Sequence, residues 1–120
     1  MASAKFDIEI EQGSVFVLDL IYKDGQGSPI DLTGYQARMQ VRAKYASPDP
    51  PALDLSTAAG SIVLGGAAGT IQAKATAEMT AGLTIKRGVY DLELVPPSGE
   101  DDAFRLTEGV VTVTPEVTRP

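Results

Sequence analysis

The sequence predicts an all-β protein, an antiparallel β-sandwich of about seven to nine short strands with at most one short helix. Two long segments, residues 6–42 and residues 88–119, alternate apolar and polar side chains over short runs. Alternation with a period of two is typical of strands that bury one face. Gly, Pro and Asp interrupt the runs about every ten residues, as turns between short strands do.

The first predicted strand, residues 5–12, has an apolar face and an acidic face. Phe6, Ile8 and Ile10 are expected to point inward, and the outward residues are Asp7, Glu9 and Glu11. Glycoside hydrolases use paired carboxylates, but theirs face each other across a cleft. A single outward row of acids is typical of a solvated face or of an edge strand protected from aggregation. We therefore expect no catalytic residues here.

The second predicted strand, residues 14–23, is apolar on both faces. The core face is expected to contain Phe16, Leu18, Leu20 and Tyr22. The opposite face contains Val15, Val17 and Ile21 around Asp19. Either another part of this chain covers these side chains or another subunit does. If they are exposed, such a patch would mark an interaction site.

Residues 24–35 predict a turn followed by a corner. Gly and Pro in the first half favour the turn. The stretch begins like a calcium-binding loop, but Pro29 stands where that loop needs glycine and Tyr35 where it needs a bidentate acid. We therefore expect no metal there. Asp31 and Thr33 are expected to hydrogen-bond backbone N–H groups at the corner.

The third strand is predicted over residues 35–42, with Ala37, Met39 and Val41 facing inward. The prolines of residues 47–51 follow it. Proline lacks the N–H that a sheet interior requires, so these residues predict an exposed loop.

The middle of the chain has weaker signals, and short strands are predicted at residues 52–55, 61–64 and 70–75. Residues 60–69 are rich in glycine but lack the Gly-Lys-Ser/Thr of a phosphate-binding loop, so a flexible hairpin connection is expected. Residues 76–83 predict one or two helical turns, with Thr76 as N-cap and Gly82 as the stop.

The last part of the chain predicts three further strands, at residues 89–95, 103–107 and 110–114. Glu108-Gly109 is expected to break the final hairpin. We predict one domain over residues 1–120, with short terminal tails at about residues 1–5 and 115–120.

Composition argues against several classes of function. The net charge of −6 and the pI of 4.5 oppose binding to nucleic acid or to anionic membranes. The sequence contains no cysteine and no histidine, which removes thiolate nucleophiles and the commonest general base. No membrane-spanning stretch or signal peptide is expected. A Ser–Lys catalytic pair stays open, but we expect no enzyme, no cofactor and no metal.

Two motifs carry a resemblance to a known group of proteins. The first, in residues 6–42, contains F-x-I, then F-x-L-x-L-x-Y-K-D-G, then P-I-D-L-T-G-Y-x-A-R-M-Q-V-R. The second, in residues 88–119, contains G-V-Y-D-L-E-L and R-L-x-E-G-x-V-x-V-x-P-E-V-T-R. Together they resemble small structural proteins encoded with the tail genes of phages and prophages. They are also similar to the N-terminal Ig-like domain of phage baseplate upper proteins, whereas residues 43–83 match poorly.

The resemblance implies an Ig-like sandwich and a non-enzymatic virion component. Such a protein would act as an adaptor in the tail, baseplate or fibre-attachment region, in several copies of a symmetric assembly. Its partners would be other virion proteins, and it would be assembled in the bacterial host cytoplasm. The alternative is a capsid-decorating or carbohydrate-binding module, in which Tyr35 and Tyr45 would stack on sugars.

Three elements are expected to contact partners: the first strand with its flanking tail, the proline-rich loop and the C-terminal segment. A terminal segment can add a strand to the sheet of a neighbour. The interface candidates are Phe6, Ile8, Val15, Val17, Ile21, Pro48, Pro50, Pro51, Pro115 and Val117.

Overall fold

The computed structural model describes residues 4–119, which form two packed β-sheets. In chain order the strands are β1 (Ala4–Lys5), β2 (Ile8–Glu11), β3 (Phe16–Ile21), β4 (Gln36–Arg42), β5 (Leu53–Ser56), β6 (Ile62–Leu64), β7 (Thr70–Ala75), β8 (Arg87–Val95) and β9 (Phe104–Thr114). The helical segments are α1 (Ala77–Ala81) and single 3₁₀ turns at Gly66–Ala68 and Glu100–Asp102. Residues 4–119 contain no helix that is long and apolar enough to cross a membrane.

The strand order is that of an immunoglobulin-like sandwich. The large sheet has the order β5–β4–β8–β9, and β1 and β2 both pair with β9. The small sheet has the order β3–β7–β6. In the letters used for immunoglobulin domains, β4, β5, β8 and β9 correspond to strands C, C′, F and G, and β3, β6 and β7 to B, D and E. The predicted all-β, Ig-like sandwich is therefore confirmed.

The alternation of the sequence is the reason that each strand contributes one face to a single core. On β4, Ala37, Met39 and Val41 are buried, as predicted. Across the sandwich, β7 buries every second residue, and its bounds match the predicted strand. The fully buried aliphatic side chains with the largest volumes include Ile10, Leu32, Met39, Leu55, Ile62, Ile71, Leu83, Leu92 and Leu94.

The N-terminal edge strand differs from its prediction. Residues 5–12 do not form one strand, because the ladder is interrupted between Lys5 and Ile8. At the interruption the carboxylate of Asp7 accepts a hydrogen bond from the N–H of Val110 at 2.8 Å. The interruption breaks the alternation, so Phe6 is 51% exposed rather than inward. Both pieces run parallel to β9, unlike the antiparallel pairs elsewhere.

The prediction of a final hairpin over residues 103–114 is wrong. β9 is one continuous strand, in which Glu108 pairs with Asp91 and Gly109 with Tyr90. β9 contains one β-bulge at Leu106. Thr107 pairs with Leu92 and Arg105 pairs with Glu93, so Leu106 has no partner on β8. Gly109 does not make a turn; it is a residue of β9 against which the backbone of Phe6 packs closely.

The local capping predictions are confirmed for Asp31, Thr76 and Gly82 but not for Thr33, whose hydroxyl donates to the Asp31 carboxylate instead of accepting from a backbone N–H. The carboxylate of Asp31 accepts hydrogen bonds from the N–H and the hydroxyl of Thr33 at 3.0 and 2.6 Å, and these bonds lower the pKa of Asp31. The hydroxyl of Thr76 accepts from the N–H of Met79 at 3.2 Å, which caps the first turn of α1. The helix ends before Gly82.

The fully buried hydroxyl of Thr80 joins α1 to the corner between β2 and β3. It accepts from the N–H of Gly13 at 3.1 Å and donates to the carbonyl of Ser14 at 2.7 Å. Thr80→Val keeps the shape but removes both bonds, so we expect the free energy of unfolding to fall by about 1–2 kcal/mol. Urea denaturation would measure this, with Thr84→Val, at an exposed site, as the control. Equal stability of both variants would contradict a structural role for this hydroxyl.

Candidate interaction surfaces

The outer face of the small sheet has exposed apolar residues on its two edge strands, β3 and β6. Val15, Val17 and Ile21 are 55%, 44% and 55% exposed, so no described part of this chain covers them. Val63 on β6 extends the same face and is 59% exposed. We call Val15, Val17, Ile21 and Val63 the apolar strip. The sequence does not single out Val63, although it lies between the inward residues Ile62 and Leu64, which is the signal that assigns it to the outer face.

The polar residues of this face lie mainly on the central strand β7, which presents Thr70, Gln72 and Lys74, and the charges on the face are balanced. Asp19 lies between Val17 and Ile21 on β3, and its carboxylate accepts a hydrogen bond from the side-chain amide of Gln72 at 3.0 Å. Lys74 on β7 lies directly across from Val17. On the three strands of this face, one carboxylate and one ammonium therefore balance each other, in contrast to the net charge of −6 for the whole chain.

The backbone of β3 is open along one edge. Within residues 4–119, β3 pairs with β7 alone. The N–H of Tyr22 donates to the carbonyl of Gly69 at 2.8 Å, at the end of this ladder. Backbone groups of successive residues in an antiparallel strand point to alternate sides. Consequently the N–H and C=O groups of Val17, Asp19 and Ile21 point away from β7, towards the open edge.

The other sheet edges are shorter or interrupted. β6 has three residues and β5 has four. The edge formed by β1 and β2 is broken between its two pieces and presents Glu9 and Glu11. Short edges, breaks and charges are the means by which natural sheets avoid unwanted strand pairing. β3, with six regular residues and Asp19 as its one charge, is the least protected edge in the described range.

The outer face of the large sheet is polar. Arg38 contacts Glu93 at 2.8 Å and Glu100 at 2.6 Å. Arg105 contacts Asp91 at 3.4 Å and Glu108 at 3.2 Å. Five of these six side chains are about half exposed or less and Glu100 is 66% exposed, and ion pairs of this kind contribute little to stability. They make this face hydrophilic and well solvated.

The charges of this network shift several pKa values. Hydrogen bonds to Glu93 and Glu100 raise the pKa of Arg38, and the hydrogen bond to Glu108 raises that of Arg105. Partial burial, with the nearby charge of Glu93, raises the pKa of Asp91. A raised carboxylate pKa also occurs in catalytic sites, but here Asp91 faces Arg105 on an open sheet surface. Residues 4–119 contain no group of three or more acids, histidines or cysteines arranged to hold a metal ion.

The proline-rich loop lies beside this polar face. Arg42 donates to the carbonyl of Asp49 at 2.8 Å, which ties the loop to β4. Pro48 and Pro50 are exposed and Pro51 is half-buried. Tyr45, 77% exposed, lines a shallow groove together with Arg42 and Asp91. The predicted exposed loop is confirmed, whereas its contact with a partner stays a prediction.

The two terminal candidates have different surroundings. Ile8 is only 8% exposed and belongs to the core, so it is not available to a partner and its assignment as an interface residue is wrong. Pro115 is exposed and Val117 is 94% exposed. Between them Glu116 is anchored, because its N–H donates to the side-chain carbonyl of Gln12 at 3.0 Å.

The predicted tails are therefore shorter than expected. At the N-terminus, residues 4–5 already belong to β1, and at the C-terminus the chain is fixed as far as Glu116. Residues 1–3 and residue 120 of the predicted tails lie outside the described residues.

Comparison with known proteins gives similarity of fold only. No protein-family model matches the chain, and no curated protein matches it. A solved structure of Tim-1 is similar over 100% of both chains, with 13% identity and a TM-score of 0.41. An extracellular domain of the voltage-gated sodium channel beta4 subunit is similar over 98% of this chain and 97% of that one, with 12% identity and a TM-score of 0.49. Both are Ig-like domains.

Proposed function

We propose that this chain is a non-enzymatic structural adaptor of a tailed-phage particle, located in the tail, baseplate or fibre-attachment region. The observation that carries the proposal is the apolar strip, which lies on a rigid sheet beside an open strand edge. The phage context comes from the sequence motifs in residues 6–42 and 88–119. The proposed location is the virion, after assembly in the bacterial cytoplasm, and the proposed partners are other virion subunits.

The physical argument for a docking role is the difference between the two outer faces. Interface centres are depleted in charged residues, and the small-sheet face has this character. The large-sheet face is covered by ion pairs, which favour contact with water. Val17, Ile21 and Val63 also lie on regular strands, so little conformational entropy would be lost when a partner binds. We therefore assign the main contact to the small sheet, with the proline-rich loop and Val117 as accessory contacts.

A test in particles begins with mass spectrometry of purified virions, in which we expect to find this chain, and with gold-labelled antibody, which we expect at the tail. The double substitution Val17→Lys with Val63→Lys then places two charges in the apolar strip. We expect incorporation into particles to fall at least about tenfold, because the charges would have to be desolvated. Both side chains are well exposed, so we expect the fold to be preserved.

The control is Thr112→Lys, which adds one positive charge, where the strip variant adds two, at an exposed site of β9 on the outer face of the large sheet. It should be incorporated normally. Absence of the wild-type chain from virions would rule out the adaptor role. Equal incorporation of the strip variant and the control would exclude the small sheet as the contact face.

The carbohydrate-binding alternative has weaker support. Of the two tyrosines that would stack on sugars, Tyr45 is exposed, whereas Tyr35 is half-buried and packs against the core. Sugar sites use exposed aromatic rings, and the structure presents one of the two. Capsid decoration would use the same protein–protein contacts as the adaptor role, so gold labelling over the head would identify it.

A further inference from the structure

We propose that the open edge of β3 pairs with β3 of a second copy of this chain, in an antiparallel register that places Val17 opposite Asp19 and Val15 opposite Ile21. The two small sheets would then form one continuous sheet across a two-fold axis. This inference rests on the proposed function, because it names a partner for the open strand edge that borders the apolar strip. It can nevertheless be tested on the purified chain alone.

The backbone supplies the first argument. The outward N–H and C=O groups of β3 belong to Val17, Asp19 and Ile21, as the hydrogen bond from Tyr22 to Gly69 shows. In the proposed register these residues lie opposite residues of the second copy whose backbone N–H and C=O groups also point away from β7. The two-fold axis makes two pairs, Val17 of each copy with Asp19 of the other, and together these pairs would exchange about four backbone hydrogen bonds. Strand addition of this kind needs an open, regular edge, and β3 is the longest uninterrupted one in the described range.

Repulsion between carboxylates and the alignment of backbone groups favour this register over its neighbours. Pairing centred on Asp19 would place the carboxylates of both copies directly opposite each other, which is destabilising. A shift of the second copy by one residue would place the outward N–H and C=O groups of one β3 opposite residues of the other β3 whose backbone groups are already bonded to β7, so no hydrogen bonds would form. The register with Val17 opposite Asp19 avoids both problems. It also makes apolar pairs between Val15 and Ile21. Pairing centred on Val17 would instead leave Ile21 opposite Gly13, outside β3, and pairing Asp19 with Ile21 would leave Val15 beyond the paired segment.

The same register brings opposite charges together. Lys74 lies across from Val17 on β7, and Val17 would lie across from Asp19 of the second copy. The two charged residues are then two strand spacings apart, about 9.6 Å between Cα atoms. Extended lysine and aspartate side chains reach over that distance. The symmetry makes this contact twice, and no side-chain ion pair of Lys74 occurs among residues 4–119.

The distribution of charge favours a second copy at this edge over other edges. Two chains of net charge −6 repel each other, so they associate best where the local charge is balanced. The strands of the small sheet are balanced by Asp19 and Lys74. The acidic residues of β2 lie on the other sheet, about 10 Å away, and their side chains point outward.

Sedimentation of the purified chain tests the association. Concentrations of up to about 1 mM are needed, because an interface formed by one pair of edge strands is small and therefore weak. We expect a monomer–dimer equilibrium. Asp19→Lys should weaken the dimer at least about tenfold, since it would face Lys74 of the second copy. The charge-swapped variant Asp19→Lys with Lys74→Asp should restore most of the loss.

The control is Asp54→Lys, at an exposed site of β5. It changes the net charge by the same amount as Asp19→Lys, and both changes reduce the general repulsion between chains. A weaker dimer in the Asp19 variant alone therefore supports a specific contact. A monomer at all concentrations, equal effects in both variants, or no restoration by the charge swap would overturn the proposal.

Disulfide crosslinking tests the register, and the chain has no cysteine that would interfere. Val15→Cys with Ile21→Cys should form disulfide-linked dimers on oxidation, because directly opposite Cα atoms lie about 5.5 Å apart in a hydrogen-bonded pair. Val17→Cys with Ile21→Cys reports the register centred on Asp19 and should crosslink at least about tenfold more slowly. Faster crosslinking of this second variant, or none of either, would overturn the register.

The two proposals fail in different experiments. A dimer of the purified chain that is absent from virions would overturn the adaptor role and leave the β3 pairing in place. A monomeric chain that is incorporated through the apolar strip would overturn the pairing and leave the adaptor role, with a strand or face of a different virion protein as the occupant.

Discussion

Leu92→Ala is expected to lower the free energy of unfolding by about 3–4 kcal/mol. Leu92 is completely buried at the centre of β8, between Met39 of β4 and Thr107 of β9. Immunoglobulin domains commonly have at this place a cysteine that links the two sheets, two residues after a tyrosine. In this chain Tyr90 precedes Leu92 by the same spacing, and there is no cysteine. Apolar packing alone therefore joins the sheets here.

Urea denaturation followed by circular dichroism would measure the loss. Val117→Ala, which truncates an apolar side chain that is 94% exposed, should change stability by less than about 0.5 kcal/mol. Leu92→Met keeps most of the volume and should cost less than about 1.5 kcal/mol. If Leu92→Ala lost no more than the methionine variant, β8 would not be the packing centre that its burial indicates.

The sequence predicted the elements in which local pattern and tertiary packing agree. β4 and β7 have strict alternation, and burial follows that alternation residue by residue. The Thr76 cap and the Asp31 turn depend on neighbours within a few residues, so local chemistry was enough to predict them. The apolar outer face of β3 was also visible as alternation in which both faces are apolar.

The errors occurred where distant segments determine the backbone. Glu108-Gly109 is typical of a turn, yet Gly109 lies within β9, where it pairs with Tyr90 and packs closely against the backbone of Phe6, and neither residue is near it in sequence. Ile8 was placed with Phe6 as an interface candidate, but the ladder is interrupted between β1 and β2, and Ile8 is buried whereas Phe6 is exposed. Val63 was missed because three residues of β6 are too few for a reliable pattern.

Gly109→Ala is expected to lower the free energy of unfolding by about 2–3 kcal/mol. A Cβ at this position would lie 2.3 Å from the carbonyl oxygen of Phe6 and 2.7 Å from its carbonyl carbon. Both are backbone atoms, so no side-chain rotation relieves the overlap. The carbonyl of Phe6 accepts a hydrogen bond from the hydroxyl of Tyr90, and the N–H of Phe6 donates one to the carbonyl of Glu108. Pushing the backbone at Phe6 outward would break these bonds as well.

The resulting damage should be local, because β1 and β2 form an edge and the rest of the core does not depend on Phe6. Amide hydrogen exchange would separate this from global unfolding: the N–H of Gln12, bonded to Thr114, should lose protection while those of β4 keep theirs. Gly25→Ala is the control, since no atom lies within 4 Å of the added carbon. Unchanged protection and stability in Gly109→Ala would mean that the N-terminal strand moves aside freely. Its parallel pairing with β9 would then be a weak contact that contributes little to the sandwich.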